Sequence, residues 1–282
     1  MAKQVWIPTV YLFNSFKPMR DLLMTVDPYW SLGVPIMFDF SACSFLSAQA
    51  GILLANLALS RRQKGWITNV DWDSVELSVY ERLVEWNLAD ILDGEDQAAT
   101  DQAVPFLHQH RPKWESVVEF VDRCMIHGQA TIRGLRAGLR KEVRSCFCEL
   151  FFNVFRHSES PVGGTALCQL EPTENRFHVC VCDAGIGIVG RVQSSGFGLG
   201  SPTAAIKWAL ERGHSTWLGP VPAGLGLYLL REFVKINGGS FRIYANNGYY
   251  GEDAGNAVEA YMFSGYPGTL VELRLKTSDP TA

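Results

Sequence analysis

The chain has 282 residues, a formal net charge of −4 and a hydrophobic fraction of 47%. That length accommodates two domains, each with its own core, and the mild acidity gives no basic footprint for nucleic acid. Seven cysteines with no CxxC pair and no zinc-type Cys/His spacing argue against a disulfide framework or a zinc site; they suit small buried side chains in a reducing cytosol. The first residues lack the layout of a signal peptide, so a cytoplasmic protein is expected.

In chain order, Val34-Pro-Ile-Met-Phe-Asp-Phe is a short run of strand formers ending at Asp39. Residues 48–59 predict a helix closed by Arg61, Arg62, Lys64 and Gly65. Residues 40–60 carry no charge, and a stretch of about twenty such residues can span a bilayer. Its serines, Gln49 and Asn56 offset the few apolar side chains left, so no membrane span is expected. A second strand is predicted over 66–70 and a second helix over 74–87, making a small α/β domain that ends near Asp93.

Three pieces of this region resemble a STAS domain, the fold of bacterial anti-anti-sigma factors. They are Phe38-Asp-Phe-Ser-Ala-Cys-Ser-Phe45-Leu with the helix after it, Gly65-Trp-Ile-Thr-Asn-Val, and Tyr80-Glu-Arg-Leu-Val-Glu-Trp-Asn-Leu. In that family the phosphorylated serine follows an Asp two residues past the motif Phe. Setting Phe45 in that place puts Ser47 in the Asp slot and Ala48 in the serine slot. The resemblance therefore implies a docking or regulatory domain that is not phosphorylated by its own chain.

Residues 93–102 are acidic and polar, a linker composition. Helical patterning resumes over 114–125 and leads into 141–158, where Val143, Phe147, Leu150, Phe151 and Val154 recur at three- and four-residue intervals. Glu149, Asn153 and His157 stand at i, i+4 and i+8 on one stripe of that helix. A carboxylate, an amide and an imidazole flanked by Phe and Val suit a site for a metal ion and phosphates better than a plain core.

Strands follow over 165–170 and 176–182, separated by Glu171-Pro-Thr-Glu-Asn, and the second ends in Asp183-Ala-Gly185-Ile-Gly187. A carboxylate at a strand end can accept a bond from a base's amino group. Gly185, Gly187 and Gly190 also spell the dinucleotide fingerprint GxGxxG. The segment after Gly190 is rich in Ser and Gly and reads as non-helical. The acid at the required distance, Glu211, falls in a helix, so that reading fails. Ser201-Pro202 opens a helix over 203–212. Gly224-Leu-Gly226 precedes an apolar helix over 227–237 that Gly238-Gly239 ends. Glycines opening a helix present free N–H groups to a phosphate. Strands over 240–245 and 268–275 complete the sheet, and 246–267 has no assigned role.

Glu149-x-x-x-Asn153, Asp183-x-Gly185-x-Gly187, Gly224-x-Gly226-Leu and Gly268-Thr269 before the last strand resemble, in order, the motifs of the GHKL ATPases. The likeness spans residues 139–276. It implies a Bergerat fold, a mixed sheet covered on one face by helices, with ATP between the helices and a flexible lid. It further implies that Asn153 holds Mg²⁺ against the phosphates, that Asp183 bonds the adenine amino group with Thr269 beside it, that Gly224 and Gly226 lie against the phosphates, and that Glu149 is the general base. His157 would pack beside the phosphates. Neither His108, His110 nor His127 has the context of a histidine-kinase phosphoacceptor. The lid sequence Ala204-Ala-Ile-Lys-Trp-Ala-Leu-Glu-Arg-Gly-His-Ser is most similar to anti-sigma serine-kinase-type proteins. The expected fold class is thus α/β: a STAS-like domain over 1–93, an acidic linker and connecting helix over 94–138, and an ATP-binding domain over 139–278. The expected function is that of a bacterial regulator that uses Mg-ATP to phosphorylate, or hydrolyses it in response to, a STAS or sigma-regulatory protein. The alternative is an ATP-gated interaction module without catalysis. Neither nucleic acid nor membrane is an expected partner, and the resemblance leaves room for a homodimer.

Overall fold

The computed structural model describes residues 2–11, 16–94, 106–111, 113–127, 137–171, 174–216 and 224–277. Most of the acidic linker lies outside them. The N-terminal unit is built on a three-stranded parallel sheet in the order β1-β2-β3. Its elements run β1 (Lys3–Trp6), α1 (Lys17–Val26), β2 (Ile36–Asp39), α2 (Ala48–Gln63), β3 (Thr68–Asp71), α3 (Leu77–Glu85) and α4 (Ala89–Leu92). Parallel neighbours need crossover connections, which is what the alternation of strands and helices supplies. β1 and α1 were not anticipated from the sequence. β1 buries only Val5 of its four residues, too little for an alternation signal.

α2 explains the charge-free stretch. Every residue from Ala48 to Arg61 is buried, because one side meets the N-terminal unit and the other packs on the second sheet. No helix among the described residues is long and apolar enough to cross a membrane. Arg61 is more than a helix-end charge. Its guanidinium is fully buried and donates to the carbonyls of Tyr29, Leu32, Val34 and Ile67 and to Thr68 Oγ1. A charge this deep persists only when its donors are all occupied.

The second unit contributes β4 (Phe106–Gln109), α5 (Trp114–His127), α6 (Ala137–Asn153), β5 (Gly164–Glu171), β6 (Arg176–Asp183), α7 (Gly187–Ser194), α8 (Pro202–Ala209), α9 (Gly226–Asn237), β7 (Ser240–Asp253) and β8 (Asn256–Lys276). The strands form one sheet in the order β4-β5-β6-β8-β7, and every neighbouring pair is antiparallel. The expectation of a mixed sheet is corrected: short hairpin connections at β5/β6 and β7/β8 force antiparallel neighbours. One face carries the helices α5 to α9; the other is covered by α1 and α2, so a single core runs from Val5 through Leu92 to Leu167, Cys180, Tyr266 and Leu270. Asn56 of α2 donates to Thr165 Oγ1 across this junction. β4, from the stretch read as connecting segment, pairs with β5 as the sheet's edge. The unassigned 246–267 stretch is the outer part of the long β7–β8 hairpin.

Two local expectations hold in detail. Ser201 Oγ accepts from the N–H of Ala204 at the start of α8, with Pro202 in its first turn. Gly238 closes α9 with φ +70°. The cysteines described are free, and Cys43, Cys148, Cys168, Cys180 and Cys182 are buried.

Candidate functional site

A pocket of about 120 Å³, open to solvent, lies between the helix-covered face of the sheet and α6, α7, α8 and α9. Glu149, Asn153, His157, Asp183, Gly187, Gly224, Gly226 and Thr269 all line it. Glu149 and Asn153 come from the last turns of α6. The α-helix ends at Asn153 and continues as a five-residue π turn, Val154–Ser158, instead of the single α-helix expected to Ser158. Such turns widen the helix and recur at functional sites. Here the turn still delivers His157 to the pocket wall.

Asp183 is the pocket's buried acid, 3% exposed at the end of β6. Strand alternation sets it on the same face as Val181 and Val179, toward the helices. Gly185 N–H donates to its Oδ1 at 2.9 Å. Burial pushes the carboxyl up to about 7, against the lowering effect of the Gly185 and Thr269 backbone groups. No cation lies among these causes. Thr269 Oγ1 in turn accepts from Ile188 N–H at 2.9 Å, tying the start of α7 to β8.

The glycines divide into two roles. Gly187 has φ +69°, and a Cβ there would stand 2.5 Å from the Gly268 carbonyl and from Asn246 Oδ1. It lets α7 begin directly against β8. A Cβ at Gly226 would stand 2.6 Å from the Glu149 carboxylate, so Glu149 reaches across to the first residue of α9. Gly185 departs from expectation. It is not among the lining residues; it packs on the Ser158 carbonyl and acts through its bond to Asp183.

His157 is held neutral. Burial, then Arg191 and Arg156, push it down to about 4, and Thr216 Oγ1 lies 3.3 Å from its Nδ1. A cationic clamp on phosphate at that position is therefore not what the surroundings favour. Cation donors come instead from Arg156 and Arg191, which also line the pocket. Sequence reasoning missed both, along with the aromatic wall in which Trp208 stacks on His214 at 4.9 Å, with Phe197 packed at a tilt on Trp208, ring centres 4.4 Å apart. Trp208 and His214 do belong to the lid sequence singled out for its resemblance; nothing in the pattern marks Arg191.

Comparison with protein-family models and with curated protein sequences gave no match. A short helix, α7, begins at Gly187, contains Gly190 and runs on to Ser194, where a non-helical segment was expected. The dinucleotide reading still fails, because β6 is antiparallel to both neighbours and makes no βαβ unit.

Behind Asp183 the sheet meets the N-terminal unit. Tyr266, fully buried, donates to the Asp183 carbonyl and lies 2.8 Å from Cys182 Sγ. Trp30, which follows α1, packs edge-on against the Tyr266 ring at 5.5 Å. A bulge between Asn246 and Gly248 on β7 shifts the register where Tyr266 turns to this face.

Proposed function

We propose that the second unit binds Mg-ATP as a Bergerat-type ATPase domain and acts as an anti-sigma-type serine/threonine kinase or ATPase on a separate regulatory protein. The observation that carries this reading is Asp183: a buried carboxyl without a counter-cation among its surroundings, lining the pocket. Such a group is poised to accept hydrogen bonds from a neutral donor edge, which an adenine amino group supplies. Asn153 and Glu149 offer oxygen donors suited to a hard cation. Among the described residues no cluster of three His, Cys, Asp or Glu could hold a metal by itself. Mg²⁺ would therefore be held by Asn153 together with the nucleotide's own phosphates, whose charge it would neutralise. Arg156, Arg191 and the start of α9 would complement that charge.

On this reading the N-terminal unit is a STAS-like docking or regulatory domain. Ser47, the hydroxyl nearest the acceptor slot, is 0% exposed, which supports a substrate in trans. A second reading, a nucleotide-gated interaction module, is favoured by the position of Glu149 against Gly226. An incoming phosphate would displace this carboxylate and could move α9 without any chemistry.

The test is incubation of the purified chain with labelled ATP and Mg²⁺, with and without candidate anti-anti-sigma-type proteins, following free phosphate and protein-bound label. Turnover in the wild type that drops about 10²–10⁴-fold in Glu149→Ala, with binding retained, supports the enzyme. Binding without turnover supports the gated module. Absence of adenine-nucleotide binding overturns both.

A further inference from the structure

The chain that leaves α8 returns to its own root. Gly213 N–H donates to the Gly224 carbonyl at 2.9 Å. Both glycines take positive φ, +81° and +86°, and a Cβ at Gly224 would stand 2.5 Å from the His214 carbonyl. His214 is fixed in turn: its ring stacks on Trp208, and its Nδ1–H donates to the Trp208 carbonyl at 3.0 Å. Two residues further on, Thr216 is delivered to the pocket wall. Its Oγ1 lies 3.3 Å from Nδ1 of His157, and both residues line the pocket together with Arg156 and Arg191. A hydroxyl against an imidazole nitrogen is the pairing that activates a weak oxygen nucleophile. The separation is that of a pair which tightens when substrate closes the site. Action on a separate protein, with Glu149 as the base, needs neither group.

We infer that Thr216 is a phosphoryl acceptor within this pocket, modified by the chain's own ATP with His157 as its base. The inference rests on the reading of the pocket as an ATP site. In the step, Thr216 Oγ1 bonds to the γ-phosphorus while the bond from that phosphorus to the β,γ-bridging oxygen breaks. ADP leaves with the electron pair, and the hydroxyl proton goes to His157 Nδ1, in the tautomer that carries its own proton on Nε2. Burial, then Arg191 and Arg156, keep the imidazole neutral, which is the form that accepts a proton. The phosphates bring negative charge to the same pocket and raise the imidazole's affinity for that proton. The product sets a doubly charged group on the wall that carries Arg156 and Arg191, the latter already bridged to Glu159 at 3.0 Å. Phosphorylated Thr216 therefore fills the anion site from within, and the modified chain binds nucleotide more weakly.

The test uses the full chain with Mg-ATP and no partner protein. Nucleotide binding is first measured by calorimetry, and the incubated chain is then mapped by tandem mass spectrometry. One acid-stable phosphate on Thr216 is expected, formed with a rate constant independent of protein concentration because donor site and acceptor share one chain. Thr216→Val should remove it, Thr216→Ser should restore it at the same position, and His157→Gln should slow it about 10²–10⁴-fold. The phosphorylated chain, separated by anion exchange, should lose nucleotide affinity and regain it on phosphatase treatment. The map of the wild-type chain decides the matter even where a variant fails to fold. ATP bound with no phosphate on Thr216, or with phosphate on Ser215 or acid-labile phosphate on His157 in its place, overturns this inference and leaves the ATP site standing. A chain that binds no adenine nucleotide overturns both.

Discussion

Two carboxylates are buried on opposite faces of the same sheet, and their surroundings differ completely. Glu272 on β8 faces the N-terminal unit and is 0% exposed. Arg274 Nε donates to it at 2.8 Å and Arg242 at 3.3 Å, and Gln49 of α2 turns its amide nitrogen onto it. Burial works to raise this carboxyl, but Arg274 and Arg242 outweigh it and hold the group below its ordinary value. Asp183 on β6 faces the pocket with only backbone N–H partners, and burial prevails. A carboxylate whose counter-charges come from its own fold is part of the architecture. One left short of partners is where a ligand can still make a bond.

Three measurements would break or sharpen that contrast. The largest effect is expected for Glu272→Ala. It leaves Arg242 and Arg274 buried without their anion, and removing one partner of such a pair costs about 3–5 kcal/mol. Urea unfolding should show the loss directly, and a change below about 1 kcal/mol would mean that the network is not structural.

Asp183→Asn should act in the opposite direction on the ligand-free protein. Its folded pKa is raised from 3.8 to about 7. The stability it contributes is therefore fully present below the unfolded value and is lost as pH rises through about 7. Asparagine has no such penalty, so the variant should melt higher than wild type at pH 8 and lose that advantage near pH 4. Its adenine-nucleotide affinity should nevertheless fall roughly ten- to a hundredfold, the equivalent of about 1.5–3 kcal/mol for a bond to a charged group. Wild-type affinity for ADP, measured calorimetrically, should weaken as pH drops below about 7, with Asp183→Asn as the flat control. A rise in wild-type affinity on acidification would contradict the assignment.

The smallest effect belongs to Tyr266→Phe, which removes only the hydroxyl that holds the Asp183 carbonyl. A loss of about 0.5–1.5 kcal/mol in stability is expected. A matching drop in nucleotide affinity would show that the strand end must be held for Asp183 to serve the pocket. Stability loss with unchanged affinity would limit Tyr266 to packing.

Much of this molecule was legible in the chain because it rests on local rules. The strands ending at Asp39 and Asp183, the hairpin between β5 and β6, the Ser201-Pro202 opening of α8 and the Gly238 close of α9 all follow from turn and cap chemistry a few residues long. The spacing of Glu149 and Asn153 placed both on one helix face, and the pocket receives both. What local rules cannot express is which surface an element meets. The uncharged face-less pattern of α2 is understandable only once two sheets enclose it. The π turn before His157, the neutral state of that imidazole and the role of Gly185 all depend on neighbours brought in from elsewhere in the chain. Likewise, the sequence supplies one of Glu272's arginines, Arg274 two residues along the same strand, but Arg242 reaches it only because β7 pairs with β8. Asp183 ends its strand facing the pocket, where no arginine is brought to it. Charge is read from composition, but solvation is set by tertiary structure, and for a buried carboxylate the second determines what the first can do.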